Sequence, residues 1–283
     1  MAAIFAAEFV PEAGYTAPIR APYGRPFIFS PDKPMISQKW TKLIKSLQLK
    51  KFRKAEQLFF VEGEKAVLEV LASGWPVKAL FGTPDFFDRH PDAAIAAELS
   101  HPCTAAELEA VGTFASNNAA IAVVQLPQYA PFTEQPGDWV LVLDQINDPG
   151  NLGTIIRIAD WYGIEHILCS TDTVDAFNPK VIASAKGSFL RVKLHYQPLP
   201  ETLAKVQQQV FGAYLGGESV HQLQLSQAGG FIVLGNEANG ISQALEPLIS
   251  RRITIPAFGD AESLNVGIAC AVVVDNLKRL STR

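Results

Sequence analysis

The feature that most constrains this chain is an alternation. From residue 137 onward, short apolar runs suited to strands near 140–143, 166–169, 191–195, 213–216, 231–234 and 252–255 are interleaved with helical patterns near 152–162, 178–186, 199–210, 241–249 and 264–280. Strands alternating with helices predict a parallel sheet covered on both faces. Ligands of such sheets bind beyond the carboxyl ends of the strands, and three of those ends carry unusual residues.

The first end is V-L-V-L-D-Q-I-N-D-P-G-N-L-G-T-I-I-R at 140–157. Val140 to Leu143 is an apolar, β-branched run of the kind that fills the middle of a parallel sheet, and Asp144 marks where it leaves the core. Asp148-Pro149-Gly150 is turn chemistry, and Asn151 suits the N-cap of a helix starting at Leu152. A helix N-terminus presents unpaired N–H groups, a natural anion site. Arg157 shares a face with Gly153 and Thr154 and can lean back over the turn, with Gly153 leaving space for it. Its place between Ile156 and Ile158 points to a groove-lining position. Taken alone, the segment also fits an ordinary strand-to-helix connection with a surface arginine.

The second end is F-I-V-L-G-N-E-A-N-G at 231–240, a buried strand breaking into a loop with two glycines around an acid. Gly235 and Gly240 would let backbone groups approach a ligand, while Glu237 holds the loop or orients a basic neighbour. The third is I-T-I-P at 253–256 followed by E-S-L-N-V-G at 262–267. Ser263 is a natural N-cap for the final helix, and Asn265, a poor helix former in a first turn, asks for another reason.

Before residue 137 the chain reads differently. Residues 1–34 hold six prolines and no sustained periodicity, which predicts an extended arm. The arm lacks the basic start and long apolar core of a secretory signal, so the cytoplasm is the expected location. Residues 38–54 carry seven basic residues and no acid, with Trp40, Leu43, Ile44 and Leu47 at helical spacing. That pattern is an amphipathic basic helix, either a solvated face or a surface on which Lys39, Lys42, Lys45, Lys50, Lys51 and Arg53 contact a phosphate backbone. Strands at 58–61, 77–81 and 120–126, with helices at 64–72, 91–99 and 104–111, complete a small α/β unit. The expected division is an arm at 1–34, a small α/β domain at 35–126, a Pro-rich linker at 127–136, and a parallel-sheet domain at 137–283.

The net charge of −4 would ordinarily argue against nucleic acid, but an average over two domains can hide a local basic patch. No run of eighteen apolar residues could span a membrane. Cys103, Cys169 and Cys270 show neither disulfide nor metal-ligand spacing, which favours a reducing compartment, and the five histidines are scattered as surface or strand-end residues, so no metal is expected.

Together, N-x-G-x-x-x-R at 151–157, L-G-N-E-x-x-G at 234–240 and I-P…S-L-N-V at 255–266 resemble the three motifs of the SpoU (TrmH-like) family of RNA ribose 2′-O-methyltransferases. K-L-I-K-S-L, F-V-E-G-E and S-N-N-A-A-I-A-V-V in the N-terminal part are similar to the substrate-binding domain often fused to these enzymes, which has a ribosomal-protein-like RNA-binding fold. The resemblance implies an α/β fold in which this small RNA-binding domain precedes a parallel-sheet domain with a deep trefoil knot, of the SPOUT class. It implies S-adenosylmethionine as cofactor, ribosomal or transfer RNA as substrate, the former favoured, and a homodimer; no metal or membrane partner is expected. Rules of chain topology alone lead away from a knot. On the matching positions, Leu234, Gly235, Asn236, Gly240, Ile255 and Leu264 would contact the cofactor. Glu237 and Asn265 would shape the site, and Asn151, Arg157 and Ser263 would handle the target nucleotide. Two departures are Gly267, where relatives commonly carry serine, and Ala183, where many carry arginine.

Two other classes compete. A catalytically silent RNA-binding or ribosome-assembly protein could share the fold, but Asn151, Arg157, Glu237, Ser263 and Asn265 are all present. A nicotinamide-dependent dehydrogenase would need G-x-G-x-x-G after an early strand, and the chain has none.

Overall fold

The computed structural model describes residues 36–281, so the expected N-terminal arm lies outside the described residues. The chain begins with α1 (Gln38–Ser46), α2 (Lys50–Glu56), β1 (Leu58–Glu62), α3 (Glu64–Ala72), β2 (Val77–Gly82), α4 (Pro84–Arg89), β3 (Ser100–Pro102), α5 (Ala105–Val111) and β4 (Ala120–Gln125). It continues with β5 (Trp139–Leu143), α6 (Pro149–Trp161), β6 (His166–Cys169), α7 (Pro179–Ala185), β7 (Lys193–Tyr196), α8 (Leu199–Leu203), β8 (Val210–Ser219), β9 (Gly230–Leu234), β10 (Arg251–Thr254) and α9 (Val266–Ser281).

The first four strands form a mixed sheet in the order β1-β4-β2-β3, and the other six a parallel sheet in the order β10-β8-β9-β5-β6-β7. The alternation in the sequence thus becomes the expected parallel sheet. Every residue of β5 and β9 is buried, whereas the edge strands β7 and β10 keep polar, partly exposed positions such as Lys193 and Arg252. Central strands buried on both faces need continuous apolar runs; edge strands do not.

Period-two alternation sorts side chains between layers. Leu141, Leu143, Ile232 and Leu234 face the layer that holds α6, α7 and α9, while Val140, Val142, Phe231 and Val233 face α8 and Phe132 of the connecting segment. In the small sheet Phe60, Ala79, Phe81, Ile121 and Val123 pack on α1 and α5, while Phe59, Val61, Leu80, Ala122 and Val124 turn the other way. Those latter residues join one continuous core with α6, α7 and α9. Of these helices α7 packs directly against β1, so it stands between the two sheets.

The junction is sealed by Phe59 against Phe177 at 4.7 Å and Phe189 at 6.2 Å, with Trp75 beside both. Beside this aromatic group the Arg53 guanidinium, 2% exposed, donates to the Asp175 carboxylate and, at 2.8 Å, to the Leu47 carbonyl. Tyr196 Oη donates to Val174 O at 2.6 Å and accepts from Ala176 N at 2.8 Å, which pins the loop carrying Asp175.

Several expected elements differ. The basic stretch at 38–54 is two helices, because residues 47–49 break it and Ser37 caps only the first. The helix expected at 91–99 is a single 3-10 turn, Pro91–Ile95, leading into β3. At 199–210 the helix stops at Leu203, since Val210 and Phe211 are taken into β8. No α-helix forms at 241–249: Pro247 leaves one 3-10 turn, Glu246–Leu248. Among the described residues, no helix is long and apolar enough to cross a membrane.

Candidate active site at the carboxyl edge

The three strand ends picked out in the sequence meet at one edge of the parallel sheet. The strand β5 runs into Asp144, which is buried and whose Oδ2 accepts from Ser242 N at 2.7 Å, while Asp144 N donates to Leu234 O. Gln145 follows with a left-handed φ of 59°, its N–H held by Ser170 Oγ at 2.9 Å and its carbonyl accepting from Asn236 Nδ2 at 2.9 Å. Asp144, Gln145 and Ser170 thus lash the ends of β5, β6 and β9 together. Sequence reasoning marked Asp144 only as the end of the strand and passed over Gln145 and Ser170.

The helix α6 starts earlier than expected. Its N-cap is Asp148, whose side chain accepts from Asn151 N at 2.8 Å, with Pro149 at the first helical position where its missing N–H costs nothing. Asn151 is therefore not the cap, and its side chain is released for other contacts. Its Nδ2 donates to Glu237 Oε1, and its Oδ1 accepts from Asn265 Nδ2 at 2.8 Å. Asn265 Oδ1 in turn accepts from Gly267 N at 2.9 Å, so Asn265, not Ser263, begins α9. The reason Asn265 asked for is this double duty of capping α9 and bonding α6. Ser263 stays exposed, with no hydrogen bond among the described residues.

Glycine matters here at two close approaches. At Gly235 a Cβ would lie 2.1 Å from the carbonyl carbon of Gly240, so its absence lets the loop close on itself, with Asn236 N and Gly240 N bonded to the opposite carbonyls at 3.0 and 2.8 Å. At Gly153 a Cβ would meet Ser184 Oγ at 1.9 Å, so this glycine admits α7 against α6; it does not clear a path for Arg157. Gly267, one of the two departures, faces Thr154 of α6, where a Cβ would stand 3.1 Å from Thr154 Cγ2.

Arg157 is exposed, which corrects the expectation of a groove-lining position. No hydrogen bond or ion pair holds it among the described residues. The nearest acid on its helix, Asp160, is taken by Arg191 through bonds of 2.7 and 2.9 Å. Burial alone would raise the Asp160 carboxyl, but the bonds from Arg191 and Ser188 outweigh it and hold it below its ordinary value. Arg157 thus offers an unpaired positive charge about 1.7 turns along α6 from Asn151.

Around this edge the side chains of Leu215, Phe258 and Leu264 are 82, 92 and 49% exposed, and residues 256–264 make no backbone hydrogen bond among the described residues. Apolar groups beside unspent backbone donors and acceptors suit a ligand with one flat apolar part and several polar edges. S-adenosylmethionine has that make-up; of the residues expected to contact it, Leu264 lies in this stretch and Ile255 borders it, whereas Leu234 is buried and Asn236 and Gly240 bond to each other. Leu215, at the exposed end of β8 and bonded through its carbonyl to Thr254 Oγ1 at 3.1 Å, belongs to the same rim and was not picked out from sequence.

Of the candidate RNA contacts, Lys39, Lys42, Lys45, Lys50 and Lys51 are exposed on α1 and α2, with Lys50 Nζ also 5.8 Å over the Tyr196 ring. Arg53 is not among them. Its burial with Asp175 makes it a structural group at the junction.

A parallel-sheet α/β domain whose three unusual strand ends meet at one polar edge thus follows a small α/β module that opens on two basic helices. Comparison with known proteins specifies the class. Residues 138–275 match the SpoU rRNA Methylase family and residues 39–120 the MRM3-like substrate binding domain. The chain is 31% identical over 238 residues to the 23S rRNA (guanosine(2553)-2′-O)-methyltransferase RlmP of Bacillus subtilis, covering 83% of this chain and 94% of that protein. A TrmH-family protein from Porphyromonas gingivalis superposes with a TM-score of 0.77 at 35% identity, over 87% of this chain and 99% of its own. An AdoMet-bound rRNA methyltransferase from Sinorhizobium meliloti gives 0.77 at 25% identity, over 87 and 97%. The chain belongs to the SpoU family, and it is an RNA 2′-O-methyltransferase that uses S-adenosylmethionine.

Proposed function

We propose that the RNA is ribosomal and that the methyl group is transferred at the carboxyl edge bounded by Asn151, Arg157, Glu237, Ser263 and Asn265. The observation that carries this reading is the hydrogen-bonded chain Glu237–Asn151–Asn265, which joins three strand ends at the start of the helix that carries the unpaired Arg157. The activity named for the Bacillus subtilis relative, methylation of a guanosine in 23S rRNA, supports ribosomal RNA as the substrate.

When bound, the cofactor supplies a methyl group on a sulfonium. A ribose 2′-hydroxyl that took this methyl group would give up its proton, which at this exposed edge would pass to solvent water. Holding the two reactants in line contributes much of the acceleration in such a displacement. Asn151 spends one N–H on Glu237 and one lone pair on Asn265, and it keeps one of each for the ribose. Ser263, free of any capping duty, adds a second hydroxyl contact. A guanidinium has no free lone pair and keeps its proton, so Arg157 is a poor base. Its role is to hold the adjoining phosphate and stabilise charge developing on the 2′-oxygen. The exposed lysines of α1 and α2 gather the RNA through its phosphates.

The enzyme works in the cytoplasm as a homodimer, with functional units divided at 35–126 and 137–283 and a trefoil knot in the second. Support for the knot comes from β10 lying at the sheet edge while the segment after it returns to bond α6 through Asn265. The test is Arg157→Ala and Arg157→Lys, with cofactor binding by calorimetry beside turnover on ribosomal RNA. Unchanged binding with lost turnover is expected for alanine. Near wild-type methylation by both variants would remove Arg157 from the reaction.

A further inference from the structure

Among the described residues, Gln57, Gln145 and Lys186 are the non-glycine residues with a left-handed backbone, at φ 56°, 59° and 49°. A side chain at such a φ crowds its own backbone, so the position favours glycine unless it has another use. Gln57 and Lys186 have an ordinary one. Each closes the carboxyl end of a helix, α2 and α7, and Gln57 Nε2 also donates to Lys54 O at 2.7 Å. Gln145 ends no helix; it lies in the connection from β5 to α6, at the polar edge itself.

The conformation of Gln145 is imposed through its main chain. Its N–H is held by Ser170 Oγ after β6, and its carbonyl by Asn236 Nδ2 after β9, both at 2.9 Å. Glycine would make both bonds without strain. What glutamine adds is a side chain, and that side chain is unspent: the residue is half-buried, its amide atoms reach solvent, and they make no hydrogen bond among the described residues. Strain kept where glycine would relieve it points to a use for the side chain.

Position says which use. Asn236, bonded to Gln145, is the neighbour of Glu237, which accepts from Asn151. Gln145 therefore adjoins the side chains that face the target nucleotide. The apolar rim that suits the cofactor lies past β8 and β10, on one side of β9, whereas Gln145 stands between β5 and β6 on the other. A carboxamide presents a donor and an acceptor side by side in one plane. Every RNA base carries the complementary pair on its Watson–Crick edge, and single-stranded RNA is read through such edges. We propose that Gln145 holds the base of the target nucleotide through its side-chain amide and so sets the ribose in line for transfer. The inference rests on the RNA substrate proposed above.

The test uses the full chain and three variants. Gln145→Gly removes the amide and the strain together, Gln145→Met keeps the length and the strain without the hydrogen bonds, and Gln145→Asn returns an amide one methylene shorter. Each is followed by thermal denaturation, by calorimetry with S-adenosylmethionine, and by kcat and binding affinity on unmethylated ribosomal RNA. Gln145→Gly is expected to keep or raise the wild-type Tm and to keep cofactor affinity. It should lower kcat on the order of 10–100-fold, the scale for one bidentate base contact. RNA affinity should move much less, because phosphate contacts supply most of it. Gln145→Met should fall to the kcat of the glycine variant, and Gln145→Asn should recover part of the loss. A glycine or methionine variant with the kcat of wild type overturns the proposal, since the amide is then idle. Loss of Tm or of cofactor affinity in Gln145→Gly overturns it as well, by assigning the side chain to packing or to the cofactor. A wild-type chain that transfers no methyl group to ribosomal RNA would overturn the functional reading and this inference together, an outcome distinct from variants that match an active wild type.

Discussion

The junction between the two sheets and the polar edge of the parallel sheet are held together in different ways. At the junction, Arg53, Asp175, Phe59, Trp75, Phe177 and Phe189 are interlocked, with the Arg53 guanidinium buried and Asp175 largely covered. At the edge, Asn151, Glu237 and Asn265 are bonded to one another but remain accessible, and Arg157 touches none of them. Substitutions at the junction should therefore cost stability, and substitutions at the edge should cost turnover.

The sharpest break in this contrast is Asp175→Ala. It leaves a buried guanidinium without its counter-charge, a change that costs ~3–5 kcal/mol. Chemical denaturation should show that loss, whereas Arg53→Met combined with Asp175→Leu should recover a good part of it. Loss of less than about 1 kcal/mol on Asp175→Ala would mean that the pair is solvated. Next comes Arg157→Ala, expected to lower turnover by about 10²–10³-fold, the scale for removing one transition-state donor, with stability within roughly 0.5 kcal/mol of wild type. Asn265→Ala lies between the two regions in kind: it removes the α9 cap, worth about 1 kcal/mol, and releases Asn151, so denaturation midpoint and turnover should both fall.

How much of this was legible in the sequence follows the same division. The strands β5 and β9 could be read directly, since uninterrupted apolar runs mean burial on both faces. The three strand ends and most of their residues could also be read, because turn and cap chemistry is local. The junction could not. Arg53 stands in a run of lysines and carries the same sign, and its partner Asp175 is 122 residues away. Nothing local marks which of seven charges will be buried. The caps went astray by a few residues for a related reason: Asp148 and Asn151 are equally good capping residues, and only the folded contacts to Glu237 and Asn265 assign Asn151 elsewhere. Likewise the 199–210 pattern was helical in period, but Val210 and Phe211 gain more from the sheet.

A smaller effect concerns pH. His166 and His195 lie 3.0 Å apart on neighbouring strands beneath Phe132, and burial pushes both below the ordinary histidine value of 6.5. The unfolded chain then binds protons more readily than the folded one, so their contribution is intact above pH 6.5 and is lost as pH falls below it. Replacing the pair by His166→Gln and His195→Phe should flatten denaturation midpoints measured between pH 7 and 5; an unchanged slope would assign the acid sensitivity elsewhere. The smallest effect is expected from Lys42→Glu or Lys45→Glu singly. Each should weaken RNA binding and reduce the slope of log affinity against log salt by about one for every phosphate that the protein no longer neutralises. An unaltered slope would remove that helix face from the interface.

The central claim is that this edge methylates the 2′-oxygen of ribose. A ribose methylated there cannot assist cleavage of its own phosphodiester by alkali. Ribosomal RNA treated with the protein and radiolabelled S-adenosylmethionine, then hydrolysed in alkali, should carry its label in an alkali-resistant dinucleotide, and the label should vanish with Arg157→Ala. Label recovered in mononucleotides, as base methylation would give, would contradict the account.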